Sequence, residues 1–288
     1  MDVLLEPLTF AFFVRARIAS ALVGIVCAVV GTYVVLRGIA FIGDAIAHAG
    51  FPGVVAAYML SIPFYLGAAV AAVSTALAIG YVTKRGGLRQ DTAIGVMFAG
   101  TFAFGVFLFS TIQGYVADLF SFLLGNVLAI SPSDLVALLI LGLGVMLVVA
   151  LLWKELLYAT FDPLGAAASG MPVDRLEYLF LALVALTIVV SLQAVGIILV
   201  VAMLITPAAT AQMLTARFTR LMLVAALVGV SSAVLGLYLS YWLSVASGAT
   251  IVLVETAMFL TAMVLGPRGV IARRRVAGSE PASTPSTA

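Results

Sequence analysis

The chain has 288 residues, of which 64% are hydrophobic and only 9% charged, with a mean hydropathy of +1.27 and a formal net charge of +2. So few charges cannot cover a water-soluble body of this length, which excludes a soluble domain and indicates an all-α polytopic membrane protein. The balance gives no ground for nucleic-acid binding, and the single cysteine, Cys27, excludes an internal disulfide framework or a thiolate metal cluster.

The first residues, Met1 to Pro7, carry Asp2 and Glu6 and no basic residue. They lack the basic start of a cleavable signal, so the first apolar run is expected to be retained. Residues 1–16 read as an N-terminal interfacial segment and residues 17–267 as the membrane domain. A bilayer-spanning helix needs roughly 20 mostly apolar residues. Nine runs qualify or come close: 18–36, 39–60, 63–82, 92–112, 135–153, 176–192, 195–214, 221–243 and 250–265. A weaker piece, 119–130, is too short to span and reads as re-entrant or interfacial, broken at Gly125-Asn126 and stopped at Ser131-Pro132. The tail 276–288 is Gly, Ser, Pro, Thr and Ala with one Glu and is expected to be disordered.

Basic residues mark alternate boundaries: Arg37; Lys84, Arg85 and Arg89; Lys154 and Arg175; Arg217 and Arg220; Arg268 and Arg273 to Arg275. Cytoplasmic loops are enriched in such residues, so the C-terminus is expected in the cytoplasm. Nine full crossings would then place Arg15 and Arg17 outside, where they fit poorly, so eight or nine spans are expected.

The second run opens Phe41-Ile42-Gly43-Asp44-Ala45-Ile46-Ala47-His48, with the only histidine of the chain four residues after an acid. On a helix that spacing puts both on one face. Ionisable groups at membrane depth are expensive and usually mark a pathway, and a carboxylate with an imidazole is a minimal ligand set for a divalent metal. The plain alternative is an acid bonded to an imidazole for packing. Gly43, Gly50, Pro52 and Gly53 loosen this helix and let an ion or a backbone approach.

Farther on, segment 161–170 reads as a short helix in a cytoplasmic loop. Asp162 suits its cap, Pro163 its first turn and Gly170 its end. It is either a plain connection or the surface that a motor subunit grips. Thr206-Pro207 is expected to kink the seventh run, like Gly43, Gly50 and Pro52 in the second. Glu255 lies inside the last run as either a further cation ligand or a packing residue bonded to a Ser or Thr, while Asp118 reads as solvated at an outer edge. Neither lysine sits in a Gly-Lys-Ser/Thr loop, so no P-loop is present, and one histidine excludes a His-Glu-x-x-His zinc centre.

Together, several stretches resemble the permease subunits of ABC importers for manganese, zinc and iron, the ABC-3 family. They are Val29 to Arg37, Ala40 to Ala49, Phe161-Asp162-Pro163, Ser191 to Gly196, Thr206 to Ala211 and Gly248 to Val254, spread over residues 13–267. The resemblance implies a plasma-membrane permease of the vitamin B12 and siderophore importer type. It implies a homodimer on two cytoplasmic ABC ATPase subunits, fed by an extracytoplasmic metal-binding protein, with no tightly bound cofactor and a divalent cation as cargo. It further implies that Asp44 and His48 touch the ion and that Phe161, Asp162, Pro163, Ala166 and Gly170 belong to the coupling helix. The chain departs from the family at Leu164 and Gly165, where Glu and an aromatic are usual, and at Ser244-Val245-Ala246, where Asp-x-Pro is common. Hard-to-borderline ligands lean towards manganese or ferrous iron over zinc. The alternative is a secondary metal/proton transporter or channel that needs no ATPase, with Asp44 and His48 as a proton relay. A membrane metalloenzyme fits worse, since the sequence offers no activated nucleophile.

Overall fold

The computed structural model describes residues 6–112 and 127–269. Among these residues the structure is helical: α1 (Ala11–Leu36), α2 (Ile42–Leu60), α3 (Phe64–Gly86), α4 (Gln90–Ser110), α5 (Pro132–Leu151), α6 (Trp153–Phe161), α7 (Pro163–Ala168), α8 (Val173–Val195), α9 (Ile197–Leu214), α10 (Phe218–Leu243) and α11 (Ser247–Leu265). All nine apolar runs fall in helices. Among the described residues, eight helices are long and apolar enough to cross a bilayer. The second run, 39–60, forms α2, whose hydropathy is diluted by Asp44 and His48.

Helix α1 runs unbroken from Ala11, because no Gly or Pro interrupts residues 11–23. Arg15 therefore lies on the first turns of α1, where its Nε donates to the carbonyl of Ala11 at 3.3 Å. Ser131-Pro132, expected to stop the weak piece, also starts α5. Ser131 caps α5 by accepting from the Asp134 N–H at 3.2 Å, the Asp134 carboxylate accepts from the Ser131 N–H at 3.1 Å, and Pro132 takes the first position. Most of the weak piece 119–130 lies outside the described residues, as do Asp118, Arg273 to Arg275 and the tail 276–288; a 3-10 turn, Val127–Ala129, is its described end.

Helix α1 is the central post, packed against α5, α8, α9 and α10. One lobe is built from α2, α3 and α4, the other from α9, α10 and α11, and α8 joins them by contacting both α2 and α3 as well as α9. The outward surface is apolar: Val70, Phe107, Ile140, Leu151, Leu227 and Leu253 are all exposed, as a lipid-facing surface demands. Three buried threonine hydroxyls are satisfied within their own helices. Thr32, Thr187 and Thr210 each donate to the carbonyl four residues back, at 2.7 to 2.8 Å.

Helices approach closely where side chains are absent. Gly53 of α2 lies on the Gly67 carbonyl of α3, and Gly24 of α1 lies on Gly229 of α10. The α2–α3 contacts, Gly53 on Gly67 and Gly50 near Ala68, set an antiparallel register. Continued along the pair, it puts Asp44 and His48 about level with Ala76 and Ala72, near the middle of α3. A side chain at Gly53 would run into the Gly67 backbone and into Ala71 Cβ at 2.6 Å, whereas at Gly50 the nearest atom is 3.9 Å away. Gly53→Val is therefore expected to destabilise the protein by roughly 1–3 kcal/mol or more, while Gly50→Ala is tolerated. Thermal unfolding in detergent of the two variants checks this, and equal losses would show that the register is wrong.

Candidate functional site

Helix α2 begins straight after a tight turn. Gly38, at φ +72°, follows the Arg37 cap. The Gly38 N–H donates to the Val35 carbonyl at 3.1 Å and the Ile39 N–H to the Val34 carbonyl at 3.2 Å. This is a Schellman closure, sealed by the buried side chains of Val34 and Ile39. The chain then turns directly into α2, with Ile42 donating to the Ile39 carbonyl and Ala45 to the Phe41 carbonyl.

One face of α2, made by Ile42, Ala45, Ile46 and Ala49, is buried in the bundle. Gly43 lies against the Leu204 side chain of α9. Asp44 and His48 come up on another face, and their side chains keep 46% and 28% of their surface exposed. The His48 Nδ1 is 3.0 Å from the Asp44 carbonyl oxygen and 3.4 Å from the Asp44 Oδ1. A carbonyl can only accept, so this bond requires the proton on Nδ1, and in the neutral ring it leaves the lone pair on Nε2. The ring is held edge-on to Phe98 and Phe102 of α4, with centroids 5.3 and 5.6 Å away. Phe51 extends the same wall through Phe102 and Phe109. An imidazole nitrogen beside an open carboxylate, fixed from behind by a carbonyl and by aromatic rings, can offer a cation two donors. No group of three or more His, Cys, Asp or Glu side chains is gathered among the described residues. One chain thus offers two donors, with open positions for water or further oxygen.

The structure does not bring Glu255 to this pair by any hydrogen bond or ion pair among the described residues. Glu255 is fully buried on α11, where Ser232 of α10 donates to its Oε1 at 3.1 Å. Its other oxygen, Oε2, has no hydrogen-bond partner among the described residues. Cys27 is buried too, within 3.6 Å of the Ser191 hydroxyl. Pro52 and Pro207 lie inside α2 and α9, which continue as helices through them, and both are buried.

Segment 161–170 folds as the sequence suggests. Asp162 caps α7 by accepting from the Gly165 N–H at 2.8 Å, Pro163 opens the helix, and Gly170 at φ +84° ends it. The departure at Gly165 has a local reason: a side chain there would press on the Asp162 carboxylate and meet the Tyr158 hydroxyl at 3.0 Å. Phe161 and Leu164 are exposed, at 62% and 83%, whereas Ala166 is fully buried. The Phe161 ring touches Phe218, which packs against Trp153 and Tyr33.

Behind α7 lies a cavity of about 300 Å³ lined by Arg37, Gln90, Thr160, Pro163 and Glu177. Arg37 Nε donates to the Thr160 hydroxyl at 3.0 Å, and its guanidinium lies 4.1 Å above the Phe180 ring. Burial draws the Arg37 pKa below its ordinary value, against the opposing pull of Glu177 and Tyr33. Glu177 in turn holds Lys84 at 2.8 Å, beside Asp174 at 2.7 Å. Arg37 and Lys84 read in the sequence only as loop charges. Their partners lie 123 and 90 residues away, and no local pattern announces them.

The model of a family described as the ABC 3 transport family matches residues 9–266. A manganese transport system membrane protein, MntC, of Halalkalibacterium halodurans is 47% identical over 269 residues, covering 93% of this chain and 92% of its own. A chelated iron transport system membrane protein, YfeD, of Yersinia pestis is 41% identical over 272 residues, covering 94% and 91%. Among solved structures, PsaBC from Streptococcus pneumoniae in complex with Fab superposes with a TM-score of 0.84 at 35% identity, covering 95% of this chain and 99% of that one.

Proposed function

The chain belongs to the ABC 3 transport family, and from that premise we propose that it carries manganese or ferrous iron inward through a path lined by Asp44 and His48. It is the multi-pass membrane permease of a metal-cation ABC import system. In this reading ATP is hydrolysed by a separate cytoplasmic chain that grips α7, an extracytoplasmic protein delivers the ion, and two copies of the permease face each other across the path. The C-terminus then lies in the cytoplasm of a bacterial cell, on the same side as Lys84, Arg85, Lys154 and Arg217.

The observation that carries the reading is the half-open Asp44–His48 pair with its Nε2 lone pair. A conducting site must bind strongly enough to admit the ion and weakly enough to release it. Two donors per chain, completed by water or by the second copy, meet that need better than a closed cage. The donors are one hard oxygen and one borderline nitrogen, a set that suits Mn²⁺ or Fe²⁺ with retained waters. Raw affinity still follows the Irving–Williams order, so Zn²⁺ binds the same pair more tightly than Mn²⁺. Selection for manganese or iron then falls mostly to the delivery protein.

The test uses the assembled transporter in liposomes with radiolabelled Mn²⁺. ATP-dependent uptake that zinc inhibits competitively is expected. Efficient zinc transport with manganese neither carried nor competing would overturn the preference for manganese or iron. Uptake that proceeds without ATP would favour the secondary-transporter alternative.

A further inference from the structure

We infer that Arg37 is a positioning residue for transport: it clamps the segment that leads into α7 to the turn that leads into α2, so that a displacement of α7 is delivered to Asp44 and His48. The inference rests on the proposed role of α7 as the ATPase contact. The structural path is short and made of stiff pieces. Thr160 stands two residues before the Asp162 cap of α7, and Arg37 five residues before the start of α2.

Each joint is fixed. On the α7 side, the Asp162 N–H donates to the Tyr158 carbonyl at 2.9 Å and the Ala166 N–H to the Asp162 carbonyl at 3.0 Å, so α6 and α7 are bonded across their junction. Thr160 donates to the Leu156 carbonyl at 2.6 Å, which orients its oxygen to accept from Arg37. On the α2 side, the Schellman closure and the bonds from Ile42, Gly43 and Ala45 leave no slack between Arg37 and the first turn of α2. The guanidinium is planar, so one face can lie on Phe180 of α8 while the Nε edge donates to Thr160. A second contact runs in parallel through Phe161, Phe218 and Tyr33, which is buried on α1. That contact is apolar and can slide, whereas the Arg37 bond is directional.

Coupling between distant sites needs a contiguous element that both sites bias. The Asp44 carboxylate is seven residues from Arg37, on the first turn of the helix that the Arg37 turn launches. The cavity beside Arg37, Thr160 and Pro163 gives these groups room to move together.

The experiment uses the complete transporter in proteoliposomes and measures ATP hydrolysis and Mn²⁺ uptake in the same vesicles. Arg37→Gln and Thr160→Val are expected to assemble and hydrolyse ATP, while the ions carried per ATP fall by about tenfold or more. Thr160→Ser, which keeps the hydroxyl, is expected to restore the ratio. Arg37→Lys keeps the charge near Glu177 but not the planar fork, and should restore it only in part. Should Arg37→Gln fail to assemble, the isosteric Thr160→Val decides the matter. An unchanged ratio of ions to ATP in Thr160→Val would overturn the inference. The role of α7 is checked separately by Leu164→Asp: if that variant stays bound to its ATPase and fully coupled, the α7 reading fails, whatever Arg37 does to the ratio.

Discussion

Replacing Asp44 by Asn or His48 by Ala is expected to lower ATP-driven Mn²⁺ uptake by about 100-fold or more, since loss even of a group that only supports a metal ligand typically costs 10–100-fold. Asn keeps the size and helical fit of Asp but removes the charge that a divalent ion needs. Ala at position 48 removes the Nε2 lone pair. Both side chains lie on the open face of α2, while Ile42, Ala45, Ile46 and Ala49 anchor the opposite face. Folding and dimer assembly should therefore survive, and size-exclusion profiles should match the parent protein. Glu255→Gln supplies the contrast. It preserves the volume and the Ser232 bond in a sealed site, so uptake near the parent level is expected. Normal uptake by both Asp44→Asn and His48→Ala would remove the pair from the path.

That contrast also marks how far the sequence could be read. Hydropathy located every long apolar helix among the described residues, because lipid demands long apolar runs with internally satisfied backbones. Residue identity placed the α7 cap, because Asp-Pro and a later Gly fix backbone geometry locally. The spacing of Asp44 and His48 sufficed to put them on one face. It could not show that Nδ1 is taken by a carbonyl, nor that Phe98 and Phe102 stand beside the ring, since α4 comes from a distant part of the chain. Glu255 and Asp44 look alike in sequence, each a lone acid in an apolar run. Only tertiary packing makes one sealed and the other open. Arg37 was read as a loop charge for the same reason: its partners, Thr160 and Phe180, are set by how α6 and α8 pack. Ser131-Pro132 marks a segment end in sequence, and only the bonds to Asp134 show that it also caps α5.

Leu164→Asp is expected to weaken the hold of the ATPase on the permease by about 30-fold or more, the loss of one interface hot spot of about 2 kcal/mol. Leu164 is 83% exposed on a helix capped at both ends, with Phe161 exposed beside it. Two bare apolar side chains beyond the membrane spans are costly unless another protein covers them. A charge at position 164 should leave the permease itself folded, because the side chain touches water and not the bundle. Ala166→Arg should act differently. Ala166 is fully buried, so an arginine there must push α7 away from the bundle, lowering both thermal stability and ATPase binding. Asp162→Lys removes the cap bond to Gly165, a loss of about 1 kcal/mol that loosens α7 without unseating it. Copurification of the ATPase with each variant, followed by uptake in liposomes, separates the three. The order of ATPase retention should be Asp162→Lys above Leu164→Asp, with Ala166→Arg alone showing a lowered melting temperature of the isolated permease. Stoichiometric copurification and full uptake by Leu164→Asp would mean that the ATPase holds the permease elsewhere.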